Sequence, residues 1–180
     1  MKLSKTILAA AVSAAVLIPS IASAEGEFNG PYVGAKATIG IISSSGRTLR
    51  GPYSDSNDEL AVGGLAGFRT EVTNGIVLGA EIDALYYTSS KDPRYGAAAT
   101  VGYNIDGQGL AFVKLGYAKL DSDLIDVDGV TFGAGYERVI TDMINVRAEY
   151  QTISYTDFET VDTTQNNTGH EISLSAIFKF

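Results

Sequence analysis

The sequence has no cysteine, a single histidine and only four prolines in 180 residues. Without cysteine there is no disulfide framework, so an exported chain of this kind must be held together by something else. With one histidine, His170, the usual base of a hydrolase is available at one position only. Lys and Arg number 13 against 21 Asp and Glu, a formal net charge of −8, which makes nucleic acid a poor partner. After residue 24 no apolar run reaches the length of about 20 residues that a membrane-spanning helix needs. A helical membrane protein is therefore excluded.

What is present begins with a leader. Lys2 and Lys5 precede an apolar run from Ile7 to Ile18, followed by Pro19, Ser20 and the small residues Ala22-Ser23-Ala24. That order is a secretory signal peptide over residues 1–24, with cleavage expected after Ala24. The remainder, residues 25–180, has the length of one domain.

From Glu25 onward the chain alternates at period two, which places successive side chains on opposite faces of a strand. Val33, Ala35, Ala37, Ile39 and Ile41 share one face, with Gly34, Lys36, Thr38 and Gly40 on the other. Seven further segments repeat the division. Leu78, Ala80, Ile82, Ala84 and Tyr86 oppose Gly79, Glu81 and Asp83; Ile144, Val146, Ala148 and Tyr150 oppose Asn145, Arg147, Glu149 and Gln151. The other five segments start near Leu60, Tyr95, Ala111, Val130 and Glu171. A soluble sandwich would show the same alternation with its apolar faces turned together.

Three features separate the two architectures. Connections alternate in length: long polar stretches at Ser43–Asp58 and Thr156–Gly169 and intermediate loops around Thr88–Arg94 and Asp121–Gly129 alternate with short turns at Thr73-Asn74-Gly75, Asn104–Gly109 and Ile140–Met143. Short turns at one end and longer loops at the other characterise an outer-membrane barrel, and Asn-Gly is a hairpin turn signal. Aromatic residues gather at the ends of the apolar faces, with Tyr86, Tyr95 and Tyr117 toward the loops and Phe68, Tyr103, Tyr136, Phe178 and Phe180 toward the turns. The chain also finishes on alternating apolar residues, Ile172, Leu174, Ala176, Phe178 and Phe180, which resembles the C-terminal signature of bacterial outer-membrane proteins, a final aromatic preceded by alternating apolar residues. These features predict an all-β, eight-stranded antiparallel up-and-down transmembrane β-barrel.

The segments Pro31-Tyr32-Val33-Gly34-Ala35-Lys36, Gly63-Gly64 with Gly67-Phe68, Phe132-Gly133-Ala134-Gly135-Tyr136-Glu137 and Val146-Arg147-Ala148-Glu149-Tyr150, with terminal Phe180, carry a family likeness. The chain resembles the outer-membrane β-barrel domain family that includes opacity-type adhesins and the OmpA transmembrane domain. The resemblance implies that the terminal strand, from Ile172 to Phe180, is an assembly signal read by the barrel-assembly machinery. It also implies a charged network inside the barrel. OmpA-type proteins add a peptidoglycan-binding domain after the barrel; peptidoglycan anchoring is not implied here.

Eight strands leave an interior that side chains can fill. The inward face carries Lys36, Arg69, Glu71, Glu81, Asp83, Lys114, Glu137, Arg147, Glu149 and Lys179, with both signs nearly balanced. An unpaired charge is costly in such a lumen, so these residues are expected to pair and plug the barrel. The alternative is a narrow, porin-like channel for small solutes or ions.

Catalysis has little support. His170 and Ser173 are three positions apart and point to opposite faces of an extended strand, and His170 reads as an exposed residue at a loop end. Asp121, Asp123, Asp126 and Asp128 do not keep the spacing of a calcium loop and read as a solvated acidic loop. No cofactor and no metal is expected. Lys119 and Arg138 fall on the outward face near opposite rims, where Lys119 would meet lipopolysaccharide phosphates or simply snorkel. The reading is a non-enzymatic protein of the Gram-negative outer membrane, both termini periplasmic. Its partners would be outer-membrane lipid and lipopolysaccharide, the assembly machinery, and host or environmental surface ligands bound through the loops.

Overall fold

The computed structural model describes residues 26–48, 51–121, 127–155 and 165–180, with side chains described in 26–41, 58–121, 128–154 and 168–180. The expected signal peptide, Asp123, Asp126 and residues 156–164 lie outside the described residues. Eight strands follow one another: β1 (Gly30–Thr48), β2 (Gly51–Thr73), β3 (Ile76–Tyr87), β4 (Pro93–Ile105), β5 (Gly109–Leu120), β6 (Val127–Val139), β7 (Ile144–Tyr155) and β8 (Gln165–Lys179). Each pairs antiparallel with its neighbours in chain order, and β1 closes on β8 to complete a barrel. Closure removes the free edges that an open sheet would expose.

Strands β3 to β7 have 12 or 13 residues, slightly more than the roughly 9–11 that a tilted strand needs to cross a bilayer. Their short ends are tight. Asn74 (φ 45°) and Gly75 (φ 83°) both take positive φ between β2 and β3, as do Asp106 (φ 53°) and Gly107 (φ 73°) between β4 and β5. Two successive positive φ values define the turn whose twist matches a hairpin, and Asn, Asp and Gly tolerate them best. The Asn104 side chain accepts a 3.0 Å hydrogen bond from the Gly107 amide, and Thr141 Oγ1 accepts one of 3.0 Å from Ile144 N in the β6–β7 turn.

The long-loop end departs from the sequence expectation. Ser43–Asp58 is paired backbone for most of its length, with Ser43 opposite Ser56 and the ladder continuing to Thr48 opposite Gly51. Gln165–Gly169 belongs to β8 and pairs with β1, from Ile42 opposite Gly169 to Gly46 opposite Gln165. Apolar alternation stops where a strand leaves the lipid, because both faces of an extension above the membrane meet water; backbone pairing does not stop there. Arg94, assigned to a loop from sequence, likewise lies in β4, one residue after Pro93.

The distribution of side chains excludes a sandwich. Ile39, Leu60, Ile82, Leu115, Phe132 and Ile172 on the outer face are each 48–60% exposed, a continuous apolar exterior far beyond what a soluble monomer shows. The buried positions instead hold Lys36, Arg69, Arg94, Lys114, Glu137, Arg147 and Glu171. Phe68, Tyr86, Tyr103, Tyr117, Tyr136, Phe178 and Phe180 all lie on the exposed exterior. Glycine permits the close approach of strands at Gly63, where a Cβ would stand 1.9 Å from the carbonyl oxygen of Ala84 on β3.

Candidate functional site in the barrel lumen

The inward face of each strand delivers its polar residues to a common axis, and the structure sorts them into two groups. The group nearer the short turns centres on Arg147 of β7. Its Nη1 bonds the Glu81 carboxylate of β3, and its Nε donates to Glu137 Oε2 of β6 at 2.9 Å. Glu137 and Arg147 face each other directly across the β6–β7 ladder, so the tight turn at Ile140–Met143 sets this pair locally. Glu137 Oε1 also accepts from Arg69 Nη1 at 2.9 Å and from Asn145 Nδ2 at 2.6 Å. Lys36 and Lys114 reach Glu149 Oε1 at 2.9 and 2.7 Å, and Lys114 Nζ lies 3.5 Å from Glu81.

The second group lies nearer the loops. Arg94 Nη2 donates to Asp83 Oδ2 at 2.6 Å, and its Nε stands 3.5 Å from Glu171 Oε1. Glu171 further accepts from the Tyr87 hydroxyl and from Gln151 Nε2, each at 2.7 Å. Thr38 and Ser173 share a hydrogen bond of 2.9 Å inside the barrel. Four cations meet three carboxylates in the first group, and one cation meets two in the second. The two groups therefore compensate each other. Removing ions from water costs several kcal/mol each, and only such multiple, well-aligned pairing offsets the cost.

Aromatic rings bind the turn-side group together. Arg69 lies over the rings of Phe28 (5.0 Å) and Tyr32 (4.7 Å), and Arg147 over those of Tyr32 (5.3 Å) and Phe112 (5.0 Å). Phe28, Arg69, Tyr32, Arg147 and Phe112 thus form a chain of cation–π contacts. The Tyr32 hydroxyl donates to Glu81 Oε2 at 2.9 Å. Beneath it, Phe28, Val77, Leu110 and Phe112 make an apolar layer at the short-turn mouth. Ala61, Leu85 and Tyr87, with Leu120 against them, form a second such layer nearer the loops.

Of the ten inward charges named from sequence, Lys36, Arg69, Glu81, Lys114, Glu137, Arg147 and Glu149 meet in the turn-side group, and Asp83 joins Arg94. Two stand apart. Glu71 accepts from Asn104 Nδ2 at 3.0 Å near the turn rim, and Lys179 bonds the Glu27 carboxylate at the rim. Sequence reasoning left out Arg94 and Glu171. Alternation already put Glu171 on the inward face of the last strand; Arg94 was hidden by the neighbouring Pro93, which reads as loop.

His170 is not an exposed loop-end residue: it lies in β8, half-buried on the outer face. Its Nδ1 shares a 2.8 Å hydrogen bond with the Tyr150 hydroxyl, the two rings stacked with centres 6.1 Å apart. Ser173 is buried in the lumen against Thr38, so this serine and the histidine do not meet. Among the described residues no cluster of three His, Asp or Glu side chains could hold a metal ion. Lys119 is exposed near the loop end of β5, and Arg138, exposed near the short turns, donates to Gln108 Oε1 at 3.1 Å. Ile172, Leu174, Phe178 and Phe180 are exposed on the exterior, with Ala176 half-buried between them.

The family model of the outer membrane protein beta-barrel domain matches residues 7–180. The chain belongs to this family. It is accordingly a barrel of the Gram-negative outer membrane. No match is found among curated proteins. Among solved structures it is similar to Neisserial surface protein A, with 20% identity, 84% of this chain and 98% of that one covered, and a TM-score of 0.51. Ail, the attachment invasion locus protein of Yersinia pestis, gives 17% identity, 84% and 99% coverage and a TM-score of 0.41. The N-terminal barrel domain of Pseudomonas aeruginosa OprF gives 14%, 78% and 97%, and 0.44. At such identities the likeness to Neisserial surface protein A is one of fold.

Proposed function

We propose that this outer-membrane barrel is a non-enzymatic surface protein that acts through its loop-side end and its lipid-facing exterior. In this reading the short turns and both termini face the periplasm, and the loops face outward. The observation that carries it is the filling of the lumen. A network of five cations and five carboxylates, with an apolar layer at the short-turn mouth and with Leu85, Tyr87 and Leu120 at the level of Arg94 nearer the loops, occupies the lumen. A barrel plugged in this way serves as an anchor in the membrane and contributes to envelope integrity. Loops held by a rigid scaffold are where recognition concentrates. The paired extension of β1 and β2 from Ser43 to Asp58 supplies such a scaffold on the loop side, for contacts with lipopolysaccharide and with host or environmental surfaces.

Assembly follows from the same reading. The exterior apolar row ending in Phe180 is the signal for the barrel-assembly machinery, and the leader over residues 1–24 is the export signal. Catalysis has no support, since the lone histidine is paired with Tyr150 away from Ser173.

The test is to shorten the 43–58 hairpin and the 156–164 segment separately, check that the barrel still folds by its mobility on unboiled gels, and measure attachment of cells to host-cell layers and abiotic surfaces. Attachment lost with folding intact supports a loop-borne function. Attachment unchanged in both variants contradicts it.

A further inference from the structure

The exterior of the barrel is not evenly covered. From β2 to β5 an open, shallow groove of about 690 Å³ is lined by small residues, Ala66, Ala80, Ala97 and Ala99, beside the larger Ile82, Leu115 and Tyr117. Register explains the depression. Ile82 pairs with Ala97, and Ala97 with Tyr117; Ala80 pairs with Ala99, and Ala99 with Leu115. The first row drops to alanine at β4, the second is alanine across both β3 and β4, and both rise again at β5.

The groove opens onto the same surface that Ile82, Val101 and Leu115 present to lipid, so its occupant comes from the bilayer. It runs from mid-strand, at Ala80 and Ala99, up to Ala97 and Tyr117, which stand four residues after the loop-side start of β4 at Pro93 and three before the loop-side end of β5 at Leu120. At that upper end stand two lysines. Lys119 is on the same outward face as Tyr117 and opposite Tyr95 across the β4–β5 ladder, with Asp128 on its other side. Lys91 is exposed in the turn joining β3 to β4. Among residues whose side chains are described, these are the only loop-side Lys or Arg outside the lumen. Both border the strands that form the groove.

We propose that the groove is a binding site for one acyl chain of a phosphorylated outer-leaflet glycolipid, lipid A, with Lys119 and Lys91 placed at its phosphate level. This rests on the proposed orientation, in which the loop side faces outward. Small side chains admit the chain, the flanking Ile82, Leu115 and Tyr117 hold it by apolar contact, and the lysines select an anionic headgroup.

The experiment extracts the full-length protein from outer membranes in mild detergent and measures lipid A and phospholipid per barrel by mass spectrometry. Wild type is compared with the groove-filling Ala97→Leu/Ala99→Leu double variant and with Ala148→Leu, a single enlargement of the same kind at an exposed position of β7 outside the groove. The expected result is lipid A retained by wild type and by Ala148→Leu, and a loss of about tenfold in the double variant, equivalent to about 1.4 kcal/mol. Equal retention by all three, phospholipid in place of lipid A, or a second copy of the chain cross-linked at Ala99→Cys would each overturn the proposal. Orientation is read separately by labelling Ser89→Cys on intact cells with a membrane-impermeant maleimide. No labelling would overturn the outward-loop reading, whereas labelling with no retained lipid A would overturn the groove alone.

Discussion

The guanidinium of Arg147 on β7 lies 5.3 Å from the ring centre of Tyr32 on β1, while both side chains bond the same Glu81 oxygen on β3. One carboxylate thus ties together three strands that are not neighbours in the barrel wall. Backbone ladders fix each strand to the next, and this triad fixes strands across the lumen.

Arg147→Ala is expected to be among the most damaging single changes. It leaves Glu81 and Glu137 without their central cation, and breaking a buried pair from one side costs about 3–5 kcal/mol. Urea titration of the folded, fast-migrating gel species should show a clear fall in midpoint. Arg147→Lys should recover part of it, since one ammonium cannot replace guanidinium bonds to two carboxylates.

Phe28→Ala removes the ring that fills the short-turn mouth beneath Arg69. The expected cost is about 3 kcal/mol, from lost burial and a cavity that β-strands cannot collapse to fill. The urea midpoint measures it, and Phe28→Leu should restore most of the loss.

Gly63→Ala should prevent normal pairing of β2 with β3, because its Cβ would enter the Ala84 carbonyl at 1.9 Å. Gly64→Ala, whose Cβ would stand 3.3 Å from the Gly34 carbonyl, should be far milder. Comparing the yield of folded barrel from the two neighbours separates a steric need for glycine from a general one.

His170→Ala should leave the acylation pattern of outer-membrane lipid unchanged on overexpression, since His170 bonds Tyr150 on the exterior and Ser173 bonds Thr38 within. Mass spectrometry of extracted lipid checks this. A histidine-dependent loss of acyl chains would establish an enzyme.

The membrane-spanning part of each strand was legible because lipid and lumen impose opposite chemistry on successive residues. Ile82 and Asp83 could hardly exchange places. Above the membrane that contrast vanishes, so Ser43–Asp58 read as loop although its backbone remains paired. Within the lumen, sequence placed side chains on a face but said nothing of height or reach. Nothing in the spacing of Lys179 showed that it would turn to Glu27 at the rim, and nothing in that of Arg94 showed that it would join Asp83 and Glu171. Those pairings depend on register between strands distant in sequence, which the closed barrel alone determines.

The central claim is that the lumen is a filled, compensated charge network. The most direct measurement is conductance of the purified, refolded barrel in planar lipid bilayers at high salt. The structure predicts a quiet membrane, with no steady current steps while Arg147, Glu81 and Glu137 remain paired. Reproducible, long-lived channels from the wild-type barrel would contradict the account and make this a pore.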